Sequence, residues 1–216
     1  MKEVIDMPNC CYTNIEVRGK TDVVKKLVEM VKSEKDEEGK ATDFDFNKIV
    51  PQPKTYEECP PEYRIDSEED ARKEHLSWDE EKERNWFNWY KWNCDNWGTK
   101  WGACDANTDL ITLEKPIGKT AVINIYLSTA WSPALPVYRK LQEMYPELEI
   151  KVDFADEGGG FVGRLRPDGE EEEYGSSDPE FKEVCDSVGC EYLYEDMEED
   201  EDEDSEGWEK DYEWEN

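Results

Sequence analysis

The sequence predicts an α+β domain whose elements run β-α-β-β-α-β with one strand added, a helical aromatic-rich insertion and a disordered acidic tail. Three observations predict it. Residues 11–18 alternate apolar and polar side chains, residues 21–31 repeat their apolar positions at helical spacing, and strand and helix patterns alternate again between residues 110 and 166.

In the first strand, Cys11, Thr13, Ile15 and Val17 share one face, while Tyr12, Asn14, Glu16 and Arg18 share the other. Thr21 is placed to cap the first helix, whose stripe is Val23, Val24, Leu27, Val28 and Val31. Strands are expected at 110–114 and 121–128, joined through Pro116-Ile117-Gly118-Lys119, a hairpin connection. Ser132-Pro133 marks a helix start, because proline at the first helical position loses a donor that had no partner there. Val137, Tyr138, Leu141, Met144 and Tyr145 supply its apolar stripe. Leu148, Ile150, Val152 and Phe154 alternate in a fourth strand, and Gly158-Gly159-Gly160 turns into a fifth at 161–166. This succession is the split βαβ of ferredoxin-like folds.

An insertion at about 50–106 separates the first helix from the second strand, too long to be a structureless loop in a compact domain. Ser77 with Glu80 is a capping-box signature, and Trp78, Trp86, Phe87, Trp89, Tyr90 and Trp92 give the helix that follows its aromatic character. Residues 1–194 thus read as one domain with this insertion. The segment 195–216 holds 14 acidic residues against the single Lys210 and buries too little apolar surface to offset chain entropy, so it reads as a disordered tail.

Charge narrows the function classes. The 216 residues include 57 acidic and 26 basic ones, a net charge of −31, which opposes binding to nucleic acid or to anionic membrane surfaces, both of which need Lys and Arg. No apolar run approaches the roughly 20 residues that span a bilayer, and the first residues lack the apolar core of a signal peptide. The expected location is the host cytoplasm. Cys10, Cys11, Cys59, Cys94, Cys104, Cys185 and Cys190 are scattered and read as free thiols, and the spacing of a metal or iron–sulfur site is missing. His75, the one histidine, lies in a charged stretch with no paired nucleophile. The expectation is no catalytic residue, no cofactor, no metal and no enzyme.

Five motifs carry a resemblance. Met7-Pro8-Asn9-Cys10-Cys11-Tyr12-Thr13-Asn14, Phe44-Asp45-Phe46-Asn47-Lys48-Ile49-Val50-Pro51, Asn96-Trp97-Gly98-Thr99-Lys100-Trp101, Thr129-Ala130-Trp131-Ser132-Pro133 and Glu157-Gly158-Gly159-Gly160-Phe161 occur in that order. Together they resemble the YubB-like family of phage and plasmid proteins. The resemblance implies a ferredoxin-like domain and a mobile-element origin, and it carries over no catalytic residues. Cys10 stands where that family usually has Trp, and Gly102 where an Asp is common.

Two surfaces are candidates for binding. The acidic clusters Glu68-Glu69-Asp70, Asp79-Glu80-Glu81, Glu170-Glu171-Glu172-Glu173 and Glu198-Glu199-Asp200-Glu201-Asp202 create a field that attracts basic surfaces. The expected partner is a basic, nucleic-acid-binding host protein, with the chain acting as a phosphate mimic against a CRISPR or restriction complex. The alternative is a nucleic-acid-binding accessory domain that uses Trp97, Lys100, Trp101 and Trp131 as a stacking surface. Against that stands the simpler expectation that these tryptophans pack the insertion onto the sheet.

Overall fold

The structure, a computed structural model, describes residues 9–34, 42–65, 67–73, 86–109 and 119–195. Its frame is a six-stranded antiparallel sheet. In chain order the elements are β1 (Cys10–Lys20), α1 (Thr21–Val31), α2 (Glu68–Lys73), α3 (Trp89–Asn96), β2 (Cys104–Asp109), β3 (Thr120–Ala130), α4 (Leu135–Met144), β4 (Glu149–Asp156), β5 (Val162–Leu165), β6 (Glu171–Glu173) and α5 (Pro179–Val188). Their spatial order is β2-β3-β1-β4-β5-β6. Within the split βαβ unit β3 and β1 lie side by side, with β2 beyond β3 and β4 beyond β1. Strands β5 and β6 then extend the sheet past β4.

Alternation decides which face is dry. Ile15 and Val17 of β1 lie beside Ile123 and Ile125 of β3 and Ile150 and Val152 of β4, and the stripes Val24, Leu27, Val28, Val31 of α1 and Val137, Tyr138, Leu141 of α4 close over them in one core. The opposite face carries Tyr12 and Asn14. There α5 packs Phe181, Val184 and Cys185 against Ala155 and Val162, forming a second, smaller cluster with Cys190.

Several boundaries differ from the sequence expectation. Thr21 is the first helical residue of α1, not its cap, and Lys20 takes the cap position without a side-chain bond. Helix α4 starts at Leu135, with Pro136 in its first turn; Ser132 and Pro133 belong to a preceding turn. The second strand spans Cys104–Asp109, whereas residues 110–118, the expected strand and hairpin, lie outside the described residues. Trp86 and Phe87 precede α3, which Asn88 caps by accepting from the Lys91 N–H at 3.0 Å. Ser77, Trp78 and Glu80 lie outside the described residues. Unforeseen are β6 and α5, since the sequence expectation assigns no strand or helix after residue 166.

The insertion packs into the main core: its Trp92 and Trp97, with Phe44 and Phe46 just before it, are buried within the cluster under α1 and α4. Phe46 and Trp97 meet edge to face at 5.6 Å, and Trp92 and Trp97 at 5.5 Å. All seven cysteines are free thiols. Among the described residues no helix is long and apolar enough to cross a membrane.

Candidate functional site

The described residues of the five sequence motifs, spread over more than a hundred residues, are tied to one another; Met7 and Pro8 lie outside the described residues. Thr99 Oγ1 donates to the Ala130 carbonyl at 2.8 Å, and Ser132 Oγ donates to that of Gly98. Gly98 sits at φ 79°, and a Cβ there would meet Pro136 Cδ at 2.9 Å and the Pro133 carbonyl at 3.3 Å. Only glycine accommodates both the left-handed backbone and this close approach. The Trp131 N–H donates to the Asn9 carbonyl at 3.0 Å. Cys10 and Glu157 are joined twice: the Cys10 N–H donates to the Glu157 carboxylate at 2.9 Å, and the Glu157 N–H donates to the Cys10 carbonyl at 2.8 Å.

The glycine run after Glu157 is shaped from within. Asp156 Oδ2 accepts the N–H groups of Gly158 and Gly160 at 3.1 and 3.0 Å. The loop's amides are thereby turned inward onto a carboxylate.

The aromatic candidates divide. Trp97 is 3% exposed, and its indole N–H donates to the Val50 carbonyl at 2.8 Å, so it is a core residue that ties the 44–51 motif to α3. Trp101 is half-buried and lies under Lys100, whose Nζ is 4.8 Å from its ring centroid. Trp131 alone of the four candidates stands out, 51% exposed and held at φ 72°. The structure therefore brings the Trp97–Trp101 and Trp131 motifs together through their backbones, but not as one stacking platform.

The acidic candidates divide as well. Glu68 pairs with Arg72 at 3.1 Å, and Glu69 and Asp70 pair with Lys73 at 3.2 and 3.5 Å. A hydrogen bond from Ser67 lowers the Asp70 pKa against a smaller opposing effect of desolvation, with a lesser contribution from the charge of Lys73 in the same direction. On β6, Glu171 pairs with Arg139 at 2.6 Å and Glu172 with Arg166 at 2.7 Å, while Glu170 and Glu173 are exposed. Exposed pairs of this kind contribute little to stability, yet they halve the local charge. Asp79, Glu80, Glu81 and Glu198, Glu199, Asp200, Glu201, Asp202 lie outside the described residues, as does His75.

Charge is unevenly spread along the chain. Residues 168–216 hold 24 of the 57 acidic residues and 2 of the 26 basic ones. The described part of that stretch, residues 168–195 with eleven of those acidic residues, forms the β6 edge and α5 with the turn after it, on one edge of the sheet and on the face opposite α1 and α4. A polar network fastens α5 there. Arg164 pairs with Asp153 and with Glu183 at 2.8 Å, Ser187 Oγ donates to Asp153 at 2.8 Å, and Asn14 Nδ2 donates to Ser187 at 3.2 Å. Burial works against the Arg164 charge, but the hydrogen bonds and charge of Asp153, then Glu183, more than offset it and raise its pKa. Tyr194, just beyond α5, donates to Asp186, which pushes its phenol up to about 12. Among the described residues, no group of three or more His, Cys, Asp or Glu side chains is placed to hold a metal ion.

No curated protein and no solved structure matches the chain. A family model does match, over residues 96–213, and describes a ferredoxin-like domain in Api92-like protein. The match takes in β2 through α5, while β1 and α1, which complete the split βαβ unit, precede it. Covering more than half of the chain, and agreeing with the strand order of the sheet, it establishes that this chain belongs to the family defined by the ferredoxin-like domain of Api92-like proteins.

Proposed function

We propose that this chain is a non-catalytic acidic protein of a phage, plasmid or other mobile element that binds a basic host protein. By presenting carboxylates where that protein expects phosphates, it inhibits a nucleic-acid-handling defence complex of the CRISPR or restriction type. The observation that carries this reading is the segregation of charge: residues 168–195 contribute eleven acidic residues and only Lys182 to one edge and one face. A field concentrated in this way steers basic partners and repels DNA. The resemblance of the five motifs to the YubB-like family supports the mobile-element setting.

The alternative, a nucleic-acid-binding accessory domain, keeps Trp131 and Trp101 with Lys100 but loses Trp97 to the core. It also needs phosphate contacts, while Arg139, Arg164 and Arg166 are each engaged by a carboxylate. Competition separates the two. A basic protein retained by the chain from a bacterial lysate should be released by excess duplex DNA, which occupies the same groove. Retention that DNA leaves unchanged contradicts mimicry, and retention of labelled single-stranded nucleic acid by the chain itself favours the alternative.

A further inference from the structure

The two edges of the sheet end differently. The β2 edge is irregular: its pairing with β3 shifts between Cys104 and Asn107, and the N–H of Thr108 is taken by Asp43 Oδ2 at 3.1 Å. Bulges and capped donors of this kind blunt an edge against further pairing. The β6 edge is regular. Its ladder with β5 runs from Glu170, whose carbonyl accepts the Arg166 N–H at 2.8 Å, to Tyr174, whose N–H donates to the Val162 carbonyl at 2.8 Å. Residues that bond across an antiparallel ladder alternate with residues that do not, and this register turns the backbone of Glu170, Glu172 and Tyr174 toward β5. The N–H and C=O groups of Glu171 and Glu173 therefore point outward, without a partner among the described residues.

This edge is held in strand geometry from several sides. Arg139 of α4 meets Glu171 at 2.6 Å, while Arg166 and the Tyr174 hydroxyl both meet Glu172, at 2.7 and 2.6 Å. Behind it, Gly163 of β5 permits a close approach, since a Cβ there would meet the Glu172 carbonyl at 2.7 Å. The outward groups are thus set before a partner arrives, which lowers the ordering cost of binding.

Charge decides what can add to such an edge. Residues 168–180 hold seven acidic residues and no basic one. A second copy laid edge to edge would set like charges opposite one another, which is destabilising. The acidic segment 195–216 is opposed by the same repulsion. An extended segment with Lys or Arg at alternate positions instead pairs its cations with Glu171 and Glu173 while its backbone continues the ladder. Building on the proposed function, we infer that the β6 edge is the docking site for an extended basic segment of the partner, which joins the six-stranded sheet as a further strand through Glu171 and Glu173. The diffuse acidic face draws the partner in, and this ladder fixes its register.

The test titrates the full-length chain with a peptide of about eight alternating lysines and valines, and with the same peptide N-methylated at its lysines, which keeps the charge and removes the backbone donors. Both are measured at about 0.05 and 0.3 M salt, where diffuse attraction is strong and then largely screened. At the higher salt the unmodified peptide should bind at least about fivefold more tightly than the methylated one, and the Glu171 and Glu173 amides should become protected from hydrogen exchange. Glu173→Pro, which removes one outward donor at an edge position that tolerates proline, should weaken binding by about fivefold. Glu173→Gln keeps that donor and should weaken it by only about twofold. Equal affinity for the two peptides, with unprotected amides, overturns the edge site and leaves the acidic-face reading intact. Protection of those amides without peptide, rising with protein concentration, gives the edge to a second copy and also overturns the proposal. No binding of either peptide at either salt overturns both readings.

Discussion

Arg164 meets Asp153 through two hydrogen bonds, Nε to Oδ1 at 2.5 Å and Nη2 to Oδ2 at 3.1 Å, with the Asp153 side chain fully buried. The pair joins β4 to β5, and through Glu183 and Ser187 it carries the weight of α5. Removing one partner leaves the other buried without its counter-charge, and such losses run to about 3–5 kcal/mol. Lys151, 3.5 Å from Asp153, compensates in part. Arg164→Met should therefore cost about 3 kcal/mol in urea unfolding. Adding Asp153→Leu should recover most of that loss, because the uncompensated charge is then gone.

Backbone handedness gives a pair of opposite outcomes. Gly98→Ala places a Cβ against Pro136 in a left-handed conformation and should destabilise by about 1–3 kcal/mol. Trp131→Gly relieves the same conformation at an exposed site and should stabilise by up to about 1 kcal/mol. Denaturant midpoints of the two variants moving in the same direction would contradict this account of the turn.

Alkaline pH should weaken the fold through Cys11. Burial raises its thiol from the ordinary 9.0 to about 12, against smaller effects of hydrogen bonds from Thr129 and Thr13. A raised folded-state value means that the unfolded chain releases the proton first. The stability Cys11 contributes is thus complete below pH 9 and is lost as pH rises toward 12. Between pH 9 and 10.5 the loss should be about 2 kcal/mol, at about 1.4 kcal/mol per pH unit. Chemical unfolding of Cys11→Ala over the same range should show a correspondingly flatter decline.

Much of the fold was legible because it depends on local pattern. The alternation in Cys11, Thr13, Ile15 and Val17 fixes a dry face, and the stripe from Val24 to Val31 needs that face to cover it, so the β-α-β-β-α-β order follows. What stayed hidden depends on partners distant in sequence. Glu171 and Glu172 read as charges available to a partner because nothing local says that Arg139 and Arg166 will meet them. Helix α5 is called to the sheet by Arg164 and Asp153 as much as by its own short apolar stripe. Among the site candidates, Trp97 and Trp131 look alike in sequence. The difference is the Val50 carbonyl under the one and the bare left-handed turn beneath the other.

Affinity capture from a bacterial lysate puts the acidic face to its sharpest trial. Three baits would be compared at low and high salt: the full chain, a version ending at Glu195, and the full chain carrying Glu170→Gln, Glu173→Gln and Glu191→Gln. A single nucleic-acid-binding complex should be retained by the full chain at low salt and released at high salt. Retention should fall on truncation and, independently, in the three-fold variant, because each change removes carboxylates that stand in for phosphate. A partner held equally by all three baits, or one indifferent to salt, would contradict the claim that the acidic edge and face of this sheet are its means of recognition.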